Sequence, residues 1–309
     1  MPSKPSDVHV NVPLTNFALQ FRNRAFVAEE VFPVVPVVHE SDVYYTFSRE
    51  ELRDVDTLRA AGTLAKEVDW VPSTASYTAE EYALRQLLAD RIIANADVPV
   101  RPQMNTTSKL MKWLMLGQEI RVQTIAQASA NVVATVAAAP KWDGTSPTIE
   151  KDIDTAKDSI RNNAGVEPNA ILLPENVKDV VKRDPTLRDL IRYVINGGSG
   201  NRELLENGEL PPVMFNLAII IAGATQDTSK QGQSSTIAKI WTDAVPVFYR
   251  EQAVSLDALS WGYIMRVRNP LVKSYRDEHR DGEYIQASMI QAEELVTANA
   301  ANLITDVLS

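Results

Sequence analysis

Alternation of apolar and polar side chains predicts a pair of strands in the first third of the chain. The stretch from Val43 to Ser48 alternates with a period of two, as a half-solvated strand does. A returning strand is expected around Trp70 and from Tyr77 to Leu84. From Glu80 to Asn95 the apolar residues adopt helical spacing, so a helix is expected there, ended by Pro99 and Pro102.

The longest helical pattern runs from Lys109 to Val133. Apolar residues recur along it at helical spacing, and Thr107 or Ser108 is the expected N-cap. At 1.5 Å per residue, its roughly 25 residues extend about 40 Å, the width of a domain. We therefore expect this helix to form the spine of the fold.

The second half of the chain alternates predicted helices and strands. An amphipathic helix is expected from Ile149 to Asn162, followed by a buried strand from Asn169 to Leu173. Helical spacing resumes from Glu175 to Arg183. The stretches Leu217 to Gly223 and Thr236 to Tyr249 flank a polar segment, which predicts a hairpin with a mobile tip.

The stretch from Phe26 to Asp97 begins with an apolar arm that has little core of its own. Pro33 and Pro36 keep residues 31–37 extended, because proline lacks an N–H donor and biases the preceding residue away from the helical region. A charged limb follows, in which Gly62 marks a turn that favours positive φ. Because arm and limb both need a partner to cover them, packing against copies of the same chain is favoured over catalysis.

Composition is that of a folded globular chain. Of its 309 residues, 45% are hydrophobic and 23% are charged, which argues against wholesale disorder. The net charge of −9 disfavours tight binding to a phosphate backbone. The lack of cysteine excludes disulfides and thiolate metal sites. No signal-peptide pattern is present, and the most apolar run, Phe215 to Ala224, has about half the length of a membrane helix.

No residue pattern predicts a catalytic, cofactor-binding or metal-binding site. The histidines, His9, His39 and His279, are far apart and lie in no metalloprotease or triad-like setting. The mixed charges from Arg276 to Asp281 are typical of a salt-bridged surface, which at a symmetric contact would set the register between subunits.

Five stretches carry a resemblance to a known family: Asn23 to Val37, Tyr44 to Phe47, Arg59 to Gly62, Tyr82 to Leu84 and Leu87 to Ala96. With the order of arm, two-limbed loop, spine helix and inserted mixed domain, the chain resembles the major capsid proteins of tailed double-stranded-DNA phages with the Hong Kong 97 fold. The resemblance implies an α+β fold in five parts. These are an N-terminal arm at 1–40, an extended loop at 41–82, a peripheral domain at 83–166 with its spine helix near 108–134, an axial domain at 167–255, and a return to the peripheral domain at 256–309.

The resemblance implies a structural protein, without enzymatic activity or cofactor. Its subunits would self-assemble, in the host cytoplasm, into the hexamers and pentamers of an icosahedral virion shell around double-stranded DNA, without sequence-specific binding and without a membrane. Scaffolding, portal and decoration proteins are further partners that the resemblance leaves open. Some members of the family cross-link a lysine to an asparagine; Lys66 lies in the loop, but no motif identifies its partner.

Contacts between subunits are expected from the arm, the loop and the charged cluster. The residues are Phe26, Phe32, Val35, Tyr44, Tyr45, Arg53, Arg59, Trp70, Tyr77, Arg276, Asp277, Arg280 and Asp281. Two other classes stay open: an encapsulin-like nanocompartment shell protein, and a soluble hydrolase whose Asp and Glu residues meet only in the folded chain.

Overall fold

The structure is a computed structural model that describes residues 14–15, 18, 26–46, 54, 56–59, 61–62, 64–67, 73–95, 101–188, 210–230, 232–251 and 259–309. The helices are α1 (Ala28–Val31), α2 (Asp90–Ala94), α3 (Pro102–Ala126), α4 (Ile149–Ala164) and α5 (Glu175–Val181). The strands are β1 (Val34–Pro36), β2 (Ser41–Thr46), β3 (Ser73–Thr78), β4 (Glu80–Ala89), β5 (Thr135–Ala137), β6 (Ala170–Pro174), β7 (Val213–Met214), β8 (Leu217–Ala222), β9 (Thr225–Asp227), β10 (Ile237–Lys239), β11 (Val245–Phe248), β12 (Gly262–Asp277), β13 (Gly282–Leu295) and β14 (Ala301–Thr305).

A four-stranded sheet, in the order β1-β12-β13-β4, supports the long helix α3. Strands β12 and β13 form a long antiparallel hairpin, β4 pairs antiparallel with β13, and β1 pairs parallel with β12. Apolar side chains of α3 (Leu110, Met111 and Leu114) pack on Ile285 and Met289 of β13. Burial of this stripe holds the helix along the sheet, as a spine.

A six-stranded sheet, in the order β5-β14-β11-β6-β8-β7, forms the second layer of the fold. Its central strand β6 is buried over its whole length, which explains its uninterrupted apolar sequence. On one face, Ile153 and Ile160 of α4 pack with Leu173 and Val247. A separate cluster, which includes Val122 of α3, Leu172 of β6 and Ile264 of β12, joins the two sheets.

The predicted helix from Glu80 to Asn95 is wrong for most of its length. Residues Glu80–Ala89 form strand β4, and only Asp90–Ala94 are helical. Strand β4 pairs with β13 along its whole length, and Tyr82 and Leu88 point into the cluster under α3. This long-range pairing outweighs the helical propensity of the glutamate, alanine and leucine residues in the segment.

The spine helix is confirmed, but it begins at Pro102 instead of Lys109 and ends at Ala126. Proline is well suited to the first helical position, where its missing N–H would have no intrahelical partner. The N-cap is Arg101, so the expected cap at Thr107 or Ser108 is wrong. The Thr107 hydroxyl lies inside the helix and donates to the carbonyl of Gln103 at 2.9 Å.

The later elements agree with the sequence, except for the hairpin. Helices α4 and α5 and strands β6 and β8 lie where they are predicted. Strand β8 does not pair with β11, because β8 lies between β6 and β7 while β11 lies between β14 and β6. The polar segment instead joins the short hairpin of β9 and β10. No helix among the described residues is long and apolar enough to span a membrane.

Candidate assembly surfaces

The apolar arm is covered by its own chain. Val31 and Phe32 are fully buried, and the Phe32 ring meets Trp261 edge-on, with ring centroids 5.2 Å apart. Val35 is also buried, in strand β1, beside β12. The expectation that this segment lacks an internal partner is therefore corrected, because β12, more than 200 residues away in sequence, supplies one.

A buried carboxylate, Glu119 of α3, fixes the start of the arm helix. It accepts hydrogen bonds from the backbone N–H groups of Val27, at 3.0 Å, and Ala28, at 2.8 Å. It also accepts one from Nε1 of Trp241, at 2.6 Å. Burial raises the pKa of Glu119, an effect larger than that of these hydrogen bonds, which lower it. Glu119 thus joins arm, spine and the Trp241 segment.

Apolar spacing along the spine helix does not indicate a role for Glu119, because its hydrogen-bond donors lie more than 90 residues away in sequence. One signal was available: Glu119 is the single acidic residue between Asp97 and Asp143. An isolated carboxylate within a long helix that buries several neighbours indicates a buried, hydrogen-bonded role.

A second polar link, Arg121 with Glu293, holds the spine helix on the sheet. The guanidinium donates to both carboxylate oxygens, at 3.0 and 2.8 Å. It also lies over the ring of Tyr82, 3.7 Å from the centroid. Fork-shaped pairing and ring stacking together orient α3 on strands β4 and β13.

The base of the extended loop is the two-stranded sheet of β2 and β3, fixed to the rest of the chain by two tyrosines. Tyr44 and Tyr77 are buried, and their rings lie 6.5 Å apart. The Tyr44 hydroxyl donates to the carbonyl of Leu295 at 3.0 Å, and Tyr77 donates to that of His39 at 2.9 Å. Burial raises the pKa of Tyr44 to about 12. This end of the loop belongs to the subunit's own core.

The loop also keeps large apolar side chains in solvent, both at its base and farther out. Val43 and Tyr45 share one face of β2 and are 58% and 46% exposed. Farther out, Leu58 and Leu64 are 82% and 94% exposed. Gly62 between them has φ of +84°, as its predicted turn requires. Apolar side chains so exposed make this limb a candidate interaction surface.

The charged cluster lies at the tip of the β12–β13 hairpin, where its charges pair within the chain. Arg276 contacts Asp90 at 2.8 Å and Glu278 at 2.9 Å. Arg280 lies 3.9 Å from Asp277. Asp281 takes a positive φ of 44° in the turn. These contacts hold the hairpin tip against α2, while Arg276, Arg280 and Asp281 stay exposed.

The structure describes eleven of the thirteen predicted contact residues, and these fall into two groups. Phe32, Val35, Tyr44 and Tyr77 are buried in the single chain, so they leave no surface for a neighbour. Exposed or partly exposed positions are Phe26, Tyr45, Arg59, Arg276, Asp277, Arg280 and Asp281. Arg53 and Trp70 lie outside the described residues. Lys66 pairs with Asp56 within the loop.

An open cleft of about 660 Å³ lies beside the start of α4, and acidic side chains line it. They include Asp154, Asp158 and Asp184. Asp184 accepts from the backbone N–H of Thr186, at 3.1 Å, and from its hydroxyl, at 2.9 Å, which shapes a turn. Among the described residues, no group of three or more His, Asp or Glu side chains is arranged to hold a metal ion.

Several proteins to which this chain is similar are phage or phage-related proteins, and each of these matches covers most of the chain. A family model described as phage capsid protein matches residues 73–287. The major capsid protein of Burkholderia phage BcepMu is 22% identical over 303 residues, which are 96% of this chain and 96% of that protein. A solved phage-related protein from Bordetella bronchiseptica RB50 has a TM-score of 0.73 at 22% identity, covering 97% of this chain and 98% of that one. The capsid structure of cyanophage P-SCSP1u has a TM-score of 0.65 at 12% identity, covering 92% of this chain and 89% of that one.

Proposed function

This chain belongs to the phage capsid protein family, and we propose that its subunits assemble as hexamers and pentamers of an icosahedral shell that encloses double-stranded DNA. It has the α+β fold of the Hong Kong 97 type and the structural, shell-forming role of a major capsid protein. The encapsulin alternative is not favoured, because the matching family and the curated relative are those of phages.

The observation that carries the proposal is the exposed apolar surface of the loop. The loop exposes four large hydrophobic side chains, where a surface that stays in water is mostly polar: Val43, Tyr45, Leu58 and Leu64. The base of the same loop is held by buried Tyr44 and Tyr77. A limb anchored at its base and apolar along its length is built to lie on another protein. In a capsid protein, the obvious recipient is the neighbouring subunit.

The remaining parts of the proposal follow from this role. The subunit acts mechanically and catalyses no reaction, and it assembles in the host cytoplasm before residing in the virion capsid. The division into arm, loop, peripheral and axial domains describes how it tiles the shell. Scaffolding, portal and decoration proteins are its further partners, and the exposed positions Tyr45, Arg59, Arg276 and Arg280 supply contacts between subunits.

Electron microscopy of the purified full-length protein tests the proposal. Closed shells, or six- and five-membered rings, are expected at high protein concentration, and light scattering follows their growth. A protein that stays strictly monomeric under all assembly conditions would overturn the proposal.

A further inference from the structure

The exposed face of the spine helix α3 is free of negative charge. Five of its residues are exposed: Asn105, Lys109, Lys112, Trp113 and Thr124. Successive members are four, three, one and eleven residues apart, and at about 3.6 residues per turn all five lie within about a third of the helix circumference. From Asn105 to Thr124 the strip extends about 28 Å along the helix.

This absence of carboxylates is unusual in a chain with 40 acidic residues and a net charge of −9. Between Asp97 and Asp143 the single acid is Glu119, which is buried against the arm. Two acids that the sheet brings near the helix are already bonded: Glu293 to Arg121, and Glu283 to Gln103 at 2.8 Å. Neither Lys109 nor Lys112 forms an ion pair with a described residue.

The strip is poorly suited to a contact with another copy of the chain. Lysine is depleted at the centre of protein–protein interfaces, whereas this strip contains two lysines. If the same strip of a second subunit lay against it, no exposed carboxylate of that α3 would be available to pair with these lysines. Duplex backbones, in contrast, are contacted mainly by lysine and by amide and hydroxyl donors. Lys109, Lys112, Asn105 and the indole N–H of Trp113, which is 54% exposed, supply these groups.

We infer that the exposed face of α3 is the surface of the subunit that contacts the phosphate backbone of double-stranded DNA. This inference rests on the proposed shell function, and it assigns α3 to the inner side of the shell. Two lysines make the contact weak and dependent on salt, which is compatible with the overall charge of −9. Because each shell repeats the strip in every subunit, many weak contacts act together along the enclosed duplex.

The test uses full-length protein at a concentration too low for shells to form, because a closed shell would hide its inner face from added DNA. A labelled DNA duplex of random sequence is added, and anisotropy is measured between about 50 and 200 mM salt. The double variant Lys109→Glu/Lys112→Glu is expected to bind about tenfold more weakly at the lowest salt, and its log–log salt slope should fall by about two. The matched control, Lys178→Glu/Lys182→Glu near α5, makes the same change in net charge and should keep the wild-type slope. Circular dichroism checks that both variants are folded.

Trp113 provides an independent signal, since it is the exposed one among the tryptophans that the structure describes, whereas Trp142, Trp241 and Trp261 are buried. Its fluorescence should change when duplex is added, and Trp113→Phe should abolish that change. The inference is overturned if wild-type protein ignores the duplex or if the control variant loses as much affinity. It is also overturned if polyglutamate of equal charge binds more tightly than the duplex, which would make the strip a protein-docking surface.

Shell assembly, followed separately by electron microscopy, distinguishes this inference from the proposed function. Lys109→Glu/Lys112→Glu is expected to form shells without DNA as the wild type does. Failure of only this variant to assemble would identify the strip as a subunit interface and overturn the inference. Failure of the wild type to assemble would refute the shell proposal itself.

Discussion

At Glu119, one side chain joins three separate parts of the fold. The carboxylate provides the N-terminal hydrogen-bond acceptor that α1 lacks, since the α1 N-cap, Val27, has no side-chain cap of its own. The same group accepts from Trp241, far along the chain. Two acceptor oxygens serve three donors there, so the chemistry of the side chain matters as well as its volume.

Glu119→Gln should lower the free energy of unfolding by about 1–3 kcal/mol, because its NH₂ group must face one of the N–H donors. Chemical denaturation monitored by tryptophan fluorescence measures this loss. Glu150→Gln, on the exposed side of α4, is the control and should be nearly neutral. Equal stabilities of the Glu119 variant and the wild type would contradict the assigned role.

The pKa of Glu119 predicts a pH dependence with a definite sign. Its pKa is raised in the folded state, so folding favours the protonated form. The associated stability is fully present below the ordinary value of 4.5 and is lost as pH rises through the folded pKa. The stability advantage of wild type over Glu119→Gln should therefore shrink as pH rises, in denaturation series from pH about 4 upward. A difference that grows with pH would contradict this assignment.

Two arginines that each form a bidentate pair with a glutamate should differ sharply in their contribution to stability. Arg121 pairs with Glu293, whose side chain is 5% exposed, whereas Arg161 pairs with Glu167, which is 49% exposed. Arg121→Met should cost about 1–3 kcal/mol of unfolding free energy, because it leaves a buried carboxylate short of donors. Arg161→Met, the control, should change stability little, because solvent replaces the lost partner. Thermal unfolding of the two variants compares them directly.

At the scale of elements, the arm depends on a glycine in its partner strand. A Cβ at Gly262 would lie 2.8 Å from the Phe32 ring and 2.9 Å from the carbonyl oxygen of Glu294. Gly262→Ala should therefore displace Phe32 and cost about 1–3 kcal/mol of unfolding free energy. Gly223→Ala, whose Cβ would come no closer than 3.8 Å to Glu175, is the control. Faster proteolysis within the arm of the Gly262 variant alone would report the displacement.

Periodicity predicted the elements that depend on local pattern, and it failed where distant pairing decides. Helix α4 and strand β6 carry clear helical and continuous apolar patterns, and both lie where they are predicted. Strand β4 contains residues that favour helices, and its extended form depends on β13, about 200 residues later. Pro102, interpreted as the end of one helix, begins another, because proline fits both places.

For the whole molecule, the sequence indicated an assembly protein but misplaced part of its contact surface. The apolar arm with its two prolines has no partner nearby in sequence. Its own sequence therefore cannot show whether Phe32 packs on Trp261 of the same chain or on another subunit. Glu119 escaped notice because its donors lie more than 90 residues away. The role of the loop stays a prediction, and the exposure of Leu58 and Leu64 in the folded chain is compatible with it.

This difference between arm and loop leads to a prediction about assembly. Replacing residues 50–70 with a short Gly-Ser linker should leave a folded subunit, because Tyr44 and Tyr77 at the base of the loop keep their hydrogen bonds to Leu295 and His39. The shortened chain should fail to form shells, because it has lost Leu58 and Leu64. Denaturation and electron microscopy measure the two effects separately. A shortened chain that unfolds would show that the loop is needed for the fold of the subunit itself. A shortened chain that assembles normally would show that residues 50–70 are not needed for contact with the next subunit.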